Sequence, residues 1–171
     1  MSQKPIVFNE TTGGFDEVTP KTVSAGAADA GKIFVPGASG QWDETLIPNS
    51  DGARAFMASE ALSAGDFVNV HDDGGVPKLR KADASSIATR AHGFVKATAD
   101  VGDTVKFYES GALGGFTALT VGSIYFLSDA TAGEPVAAAP TTTGHIAQAV
   151  GVAVSATEIQ VDISEQPVVR A

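Results

Sequence analysis

The chain has 171 residues with 20 acidic against 11 basic side chains, a formal charge of −9. That balance weighs against binding nucleic acid through its phosphates and against docking on an anionic membrane surface. There is no cysteine, which excludes disulfides, thiolate metal sites and cysteine nucleophiles. Charged residues make up 18% of the chain, below the roughly 25% usual in soluble domains. The surplus of Ala, Gly, Thr, Ser and Val predicts short strands joined by many turns. The opening Met1-Ser2-Gln3-Lys4-Pro5 has no apolar run of the signal-peptide kind, and no stretch reaches the length of a membrane span, so assembly in a cytoplasm is expected.

Residues 1–52 read as an extended N-terminal arm. They carry Pro5, Pro20, Pro36 and Pro48, and their apolar residues come singly or in pairs: Ile6, Phe8, Phe15, Ile33, Phe34, Trp42, Leu46 and Ile47. No period of 2 or 3.6 lasts long enough to build a core there. Such a segment cannot offset its own ordering entropy. Scattered aromatic anchors are what interfaces use, so these eight residues are the candidate partner-binding set.

Residues 53–171 change character. Strands are expected over Ala55–Ala58, Asp66–Val70, Val76–Ala82, Arg90–Ala97 and Thr104–Tyr108, separated by Gly/Asp turns such as Asp72-Asp73-Gly74-Gly75. Alternation with turns every eight to twelve residues marks a compact β-barrel or sandwich.

The second half repeats the first at an offset of about 57 residues. Ala61-Leu62-Ser63-Ala64-Gly65-Asp66-Phe67-Val68 aligns with Ala118-Leu119-Thr120-Val121-Gly122-Ser123-Ile124-Tyr125. Ala91-His92-Gly93-Phe94-Val95 aligns with Ala149-Val150-Gly151-Val152-Ala153, and the strand at Thr104 with that at Glu158. The expected fold is therefore all-β: a compact β-barrel or sandwich with an internally duplicated half, each half covering the other's edge strands. Ile146–Val154 and Ile159–Ile163 are nearly charge-free and read as buried central strands joined by a hairpin across Ser155-Ala156-Thr157.

Chemistry-bearing motifs are few. His71, His92 and His145 have no histidine at metal-ligand spacing. His71-Asp72-Asp73 could supply metal ligands, but Asp-Asp-Gly-Gly is ordinary turn chemistry. No Gly-x-Ser-x-Gly elbow occurs, and Gly111-Ala112-Leu113-Gly114-Gly115 lacks the Lys-Ser/Thr of a phosphate loop. Turn and solvent roles account for the carboxylates, Asp66, Asp103 and Asp129 among them. Lys78, Arg80 and Lys81, with Arg90 nearby, form a small basic cluster suited to a solvated face or an acidic partner. The expectation is a protein that is not an enzyme and has no cofactor.

Three stretches carry a family resemblance. They are Ala58–Val70 followed by Lys78–Ala84 and Ala91–Val95; then Leu119–Ser128; then Gly151–Ile159. Together they resemble a module of tailed-bacteriophage virion proteins, and Ala30–Ile33 with Gln41–Pro48 resembles the connector that precedes such modules in fibre proteins. The likeness covers about two-thirds of the chain and is one of pattern, not of catalytic residues. It implies a capsid decoration (cement or head-fibre) protein on the virion exterior, a homotrimer whose partner is the major capsid protein, with neither nucleic acid nor membrane as partner. A long repetitive fibre shaft is absent from the sequence, which favours decoration over host recognition. Two rivals remain: a short fibre subunit binding a receptor or glycan, with Tyr108, Tyr125 or Trp42 lining the sugar site, and a cell-wall hydrolase with clustered carboxylates.

Overall fold

The computed structural model describes the backbone of Ile6–Asn9 and Gly14–Glu17 and all of residues 53–171. The chain divides into two units, Met1–Asp51 and Gly52–Ala171. In the first, strands β1 (Ile6–Asn9) and β2 (Gly14–Glu17) pair antiparallel, with Phe8 opposite Phe15. This ribbon is local structure inside the segment read as an arm.

The second unit is all-β, as its composition predicts. β3 (Arg54–Ala58), β4 (Phe67–Asp73), β5 (Val76–Lys81), β6 (Gly93–Val95) and β7 (Thr104–Tyr108) form a closed barrel in the order β3-β5-β4-β6-β7. Closure comes from antiparallel β3–β7 pairing and from a short parallel contact of Met57 and Ala58 with Lys78 and Leu79. Alternation directs one set of side chains inward. Ala58, Val68, Leu79, Val95, Val105 and Phe107 fill the barrel together with Leu62 and Ala99 from its loops.

β8 (Ser110–Gly114), β9 (Ile124–Leu127), β10 (Pro135–Val136), β12 (Ala149–Ala153) and β13 (Glu158–Asp162) form an open sheet in the order β10-β9-β12-β13-β8. β11 (Ile146–Ala147) pairs separately with β14 (Val168–Val169). Placed strand by strand on the barrel, the open sheet has the same order. The duplication is thus present in three dimensions, down to single hydrogen bonds. Gly65 N donates to Val95 O at 2.9 Å and Gly122 N to Ala153 O at 2.8 Å. Val95 N donates to Asp66 O, and Ala153 N to Ser123 O, both at 3.0 Å.

The halves do not combine into one barrel, as the sequence pattern suggested. The first closes by itself and the second stays open. The reason is β10. It is two residues long, begins at Pro135, which has no N–H to give a ladder, and soon meets Pro140. The segment before it binds the barrel instead. Gly133 accepts from Phe67 N and donates to Ala82 O, both at 2.8 Å, and Ala84 N donates to Ser128 O at 2.9 Å.

Between barrel and sheet lies a second core. Phe67 and Phe94, on the outside of the barrel, pack with Leu127, Val150, Ala153 and Ile159 from the sheet. Each fully buried Phe contributes about 1.5–3 kcal/mol, so this contact welds the two repeats. β12 and β13 are central strands joined as the expected hairpin. They are buried on one face only, however: Val152, Val154 and Gln160 are exposed. The expected single strand over Ile146–Val154 is interrupted at Gln148, and the β12–β9 register shifts between Ala149 and Gly151.

Candidate functional site

Of the eight candidate partner-binding residues, Ile6 and Phe8 stand on β1 and Phe15 on β2. The backbone register sets Phe8 opposite Phe15 and Ile6 opposite Glu17. Ile33, Phe34, Trp42, Leu46 and Ile47 lie outside the described residues.

The histidines make contacts that serve the fold. In β4, His71 Nε2 lies 2.8 Å from Ser59 Oγ, and its Nδ1 lies 3.2 Å from the carbonyl oxygen of Asp72. A serine beside a histidine suggests a nucleophile, but Ser59 Oγ also donates to the Leu79 carbonyl at 2.9 Å, which ties the hydroxyl to the fold. His145 Nδ1 pairs with an Asp129 carboxylate oxygen at 2.9 Å. Among the described residues, no three His, Asp or Glu side chains gather so as to hold a metal ion.

His92 sits in a polar network at one mouth of the barrel. Its Nδ1 accepts from Val70 N at 3.0 Å, so the neutral ring carries its proton on Nε2. Burial holds its pKa below the usual 6.5, and the neighbouring Arg90 charge adds to that. Buried Asn69 donates to the Arg90 carbonyl at 2.8 Å and accepts from Arg80 Nε at 2.9 Å. Arg80 and Arg90 also donate to Ala88 O and Ile87 O, at 3.1 and 3.2 Å, holding the 3-10 turn Ile87–Thr89 that Ser86 caps.

Beside His92 a cavity of about 660 Å³ opens, walled by Phe56 and Phe107 and rimmed by Arg54, Arg90, Glu109 and Glu165. Phe56 and Phe107 meet edge to face at 5.5 Å, and Arg54 pairs with Glu109 at 3.6 Å. Its lining joins an imidazole, two carboxylates and two guanidinium groups to apolar walls.

The basic cluster is spent within the molecule. Lys78 pairs with Asp73 at 2.7 Å, Arg80 serves Asn69, and Lys81 reaches Asp66 at 3.2 Å. Asp66 has the turn role expected of it. It is buried, and its carboxylate accepts from Ser63 N at 2.8 Å to close the turn before β4. Tyr125, one of the residues assigned to a sugar site, is buried, with its hydroxyl accepting from Thr120 N at 3.1 Å. Tyr108 stacks on Phe94 at 5.5 Å beneath the Lys96 ammonium.

Sequence reading passed over Gln148. Fully buried between the repeats, its Oε1 accepts from Ala91 N at 2.8 Å, and its Nε2 donates to Ala91 O and Ser164 O, each at 2.9 Å. One amide thus satisfies three backbone groups from separate segments. The signal was a lone polar residue inside an otherwise apolar run, Ile146-Ala147-Gln148-Ala149-Val150.

No protein-family model matches this chain, and no curated protein matches it.

Proposed function

We propose that this chain is a virion structural protein that binds the outside of a tailed-phage capsid and braces the shell, without enzymatic activity. Its partners in this reading are the major capsid protein and further copies of itself as a homotrimer. The eight apolar residues of the N-terminal segment, Ile6 to Ile47, supply the anchors. One observation carries the reading: the residues behind the family resemblance serve the fold at equivalent places in both repeats. Gly65 and Gly122 shape the same turn, and Gly93 and Gly151 permit the same close strand approach. A motif made of turn and packing positions suits a rigid module that displays a surface. Repetition over a lattice then multiplies a modest contact into stable occupancy.

The test is cosedimentation of the full-length protein with undecorated phage capsids, alongside a variant with Phe8, Phe15 and Trp42 changed to Ala. The reading expects saturable pelleting of the wild type and reduced occupancy of the variant. A wild-type chain that stays in the supernatant over undecorated shells ends the proposal.

A further inference from the structure

The two repeats serve as controls for each other, because the strand registers match them residue by residue. Phe67 faces Phe94 as Ile124 faces Val152, and Phe94 faces Tyr108 as Val152 faces Gln160. Two positions before Phe94 and Val152, His92 therefore matches Val150. One position after Tyr108 and Gln160, Glu109 matches Val161. Arg54 stands opposite Phe107 as Leu113 stands opposite Ile159.

In the second repeat this place is solid. Leu113, Val150, Ile159 and Val161 are buried in the core between the halves. In the first repeat it is the cavity of about 660 Å³ at the barrel mouth, with Arg54, His92 and Glu109 in place of Leu113, Val150 and Val161. The fold thus requires neither the hollow nor its polar groups. The volume is that of a small-molecule site, roughly 300–1,000 Å³.

The polar groups define the ligand. Two guanidinium groups and two carboxylates make the lining formally neutral, and the Arg54–Glu109 pair at 3.6 Å uses one of each. Arg90 and Glu165 remain, facing the same cavity without pairing with each other. Arg90 gives one N–H to the Ile87 carbonyl and keeps others to offer. His92 adds a second donor beside it: Nδ1 is taken by Val70 N, so Nε2 carries the proton, and no described residue accepts it. Phe56 and Phe107 supply an apolar wall. A ligand with acidic groups alone meets Glu165, and an apolar neutral one strips water from Arg90 and Glu165 without replacing it.

We propose that the cavity at the barrel mouth binds a zwitterion with an apolar side chain, either an apolar amino acid or a short peptide with both ends free. Arg90 and His92 hold its carboxylate, Glu165 its ammonium group, and Phe56 and Phe107 its side chain.

The test is a titration of the full chain followed by amide chemical shifts, with phenylalanine and with leucyl-phenylalanine as probes. N-acetyl-phenylalanine and phenylalanine amide each remove one charge. The expected result is saturable shifts around Ala91, His92 and Phe107 with at least one zwitterion, and binding about tenfold weaker for each blocked form, which loses a charge-assisted hydrogen bond. The tighter of the two zwitterions tells whether the ligand is a free amino acid or a peptide. Glu165→Gln, at an exposed position, is expected to abolish the preference for the free ammonium group over the acetylated form. Arg90→Gln, which takes the residue type of its second-repeat counterpart Gln148, is expected to weaken the zwitterion about tenfold. No saturable shift with either zwitterion at millimolar concentration overturns the proposal, as do shifts confined to residues away from the cavity, or a blocked form that binds as tightly as the free one. Neither capsid nor oligomer enters the measurement, so its failure leaves the decoration reading where it stands.

Discussion

The barrel and the open sheet share a strand order and differ in almost everything a neighbour could feel. Residues 54–109 carry fifteen charged side chains, whereas residues 110–163, nearly as many, carry four. The barrel consumes many of its charges internally, as with Asp66–Lys81, Asp73–Lys78 and Arg80–Asn69. The sheet has few to place and leaves Ile124, Val152 and Val154 exposed. A duplicated fold has thus been divided into a closed half rich in charges of both signs and an open half with few charges, all of them acidic. Closure removes edges, and the long β4–β5 hairpin achieves it in the barrel. The sheet shortens that hairpin to Pro135–Val136 opposite Phe126 and Leu127, and the segment between its strands becomes the glue between the halves.

The sharpest way to break this comparison is at the two glycines both halves keep. A Cβ at Gly93 would run into the Phe107 ring and the Tyr108 carbonyl, and a Cβ at Gly151 into the Ile159 side chain and the Gln160 carbonyl. These are the same neighbours in the two repeats. Gly93→Ala drives a methyl into the barrel core and Gly151→Ala into the core between the halves. Each is expected to cost about 3 kcal/mol, the upper end of overpacking penalties. Urea unfolding measures both. If Gly151→Ala proves harmless while Gly93→Ala does not, the open sheet is the more deformable half and the equivalence is only topological.

Gln148 sharpens the comparison next, since it joins the halves through backbone groups. Gln148→Leu keeps the volume but leaves Ala91 N, Ala91 O and Ser164 O without their present partner. Burying unsatisfied groups of this kind costs about 1–3 kcal/mol each, and partial relaxation should hold the loss near about 3 kcal/mol. Hydrogen exchange at Ala91 is the direct reporter: its amide should lose protection in the variant. Unchanged protection there would mean that the apolar core, and not the amide, joins the repeats.

Much of this fold was legible in the sequence because turn chemistry and alternation are local. Gly65, Asp72–Gly75 and Gly122 mark turns by residue type alone, and Val105 and Phe107 mark a buried face by spacing. The repeat was legible for the same reason: Leu62–Phe67 and Leu119–Ile124 keep turn residues in register. Which copy closes was not legible, because closure depends on a parallel contact between β3 and β5 that no local pattern encodes. The role of Gln148 was missed for a related reason. A polar residue is read as solvated until the distant groups that satisfy it, Ala91 and Ser164, are brought beside it.

The mildest test concerns acid. His92 Nδ1 must remain unprotonated to accept from Val70 N, and burial followed by the Arg90 charge lowers its pKa in the folded protein below 6.5. The unfolded chain, with the ordinary value, then binds the proton more readily than the native state. The stability this contributes is complete above the unfolded pKa, and it is lost as pH falls through 6.5 toward the lower folded value. Carboxylates respond to acid as well, so the informative quantity is the difference between the wild type and His92→Gln. The gap in melting temperature between the two should be widest at neutral pH and narrow on acidification, before most carboxylates titrate. A gap that stays constant across that window would mean His92 is protonated equally in both states. The network at the barrel mouth would then hold together through Asn69 and the two arginines alone.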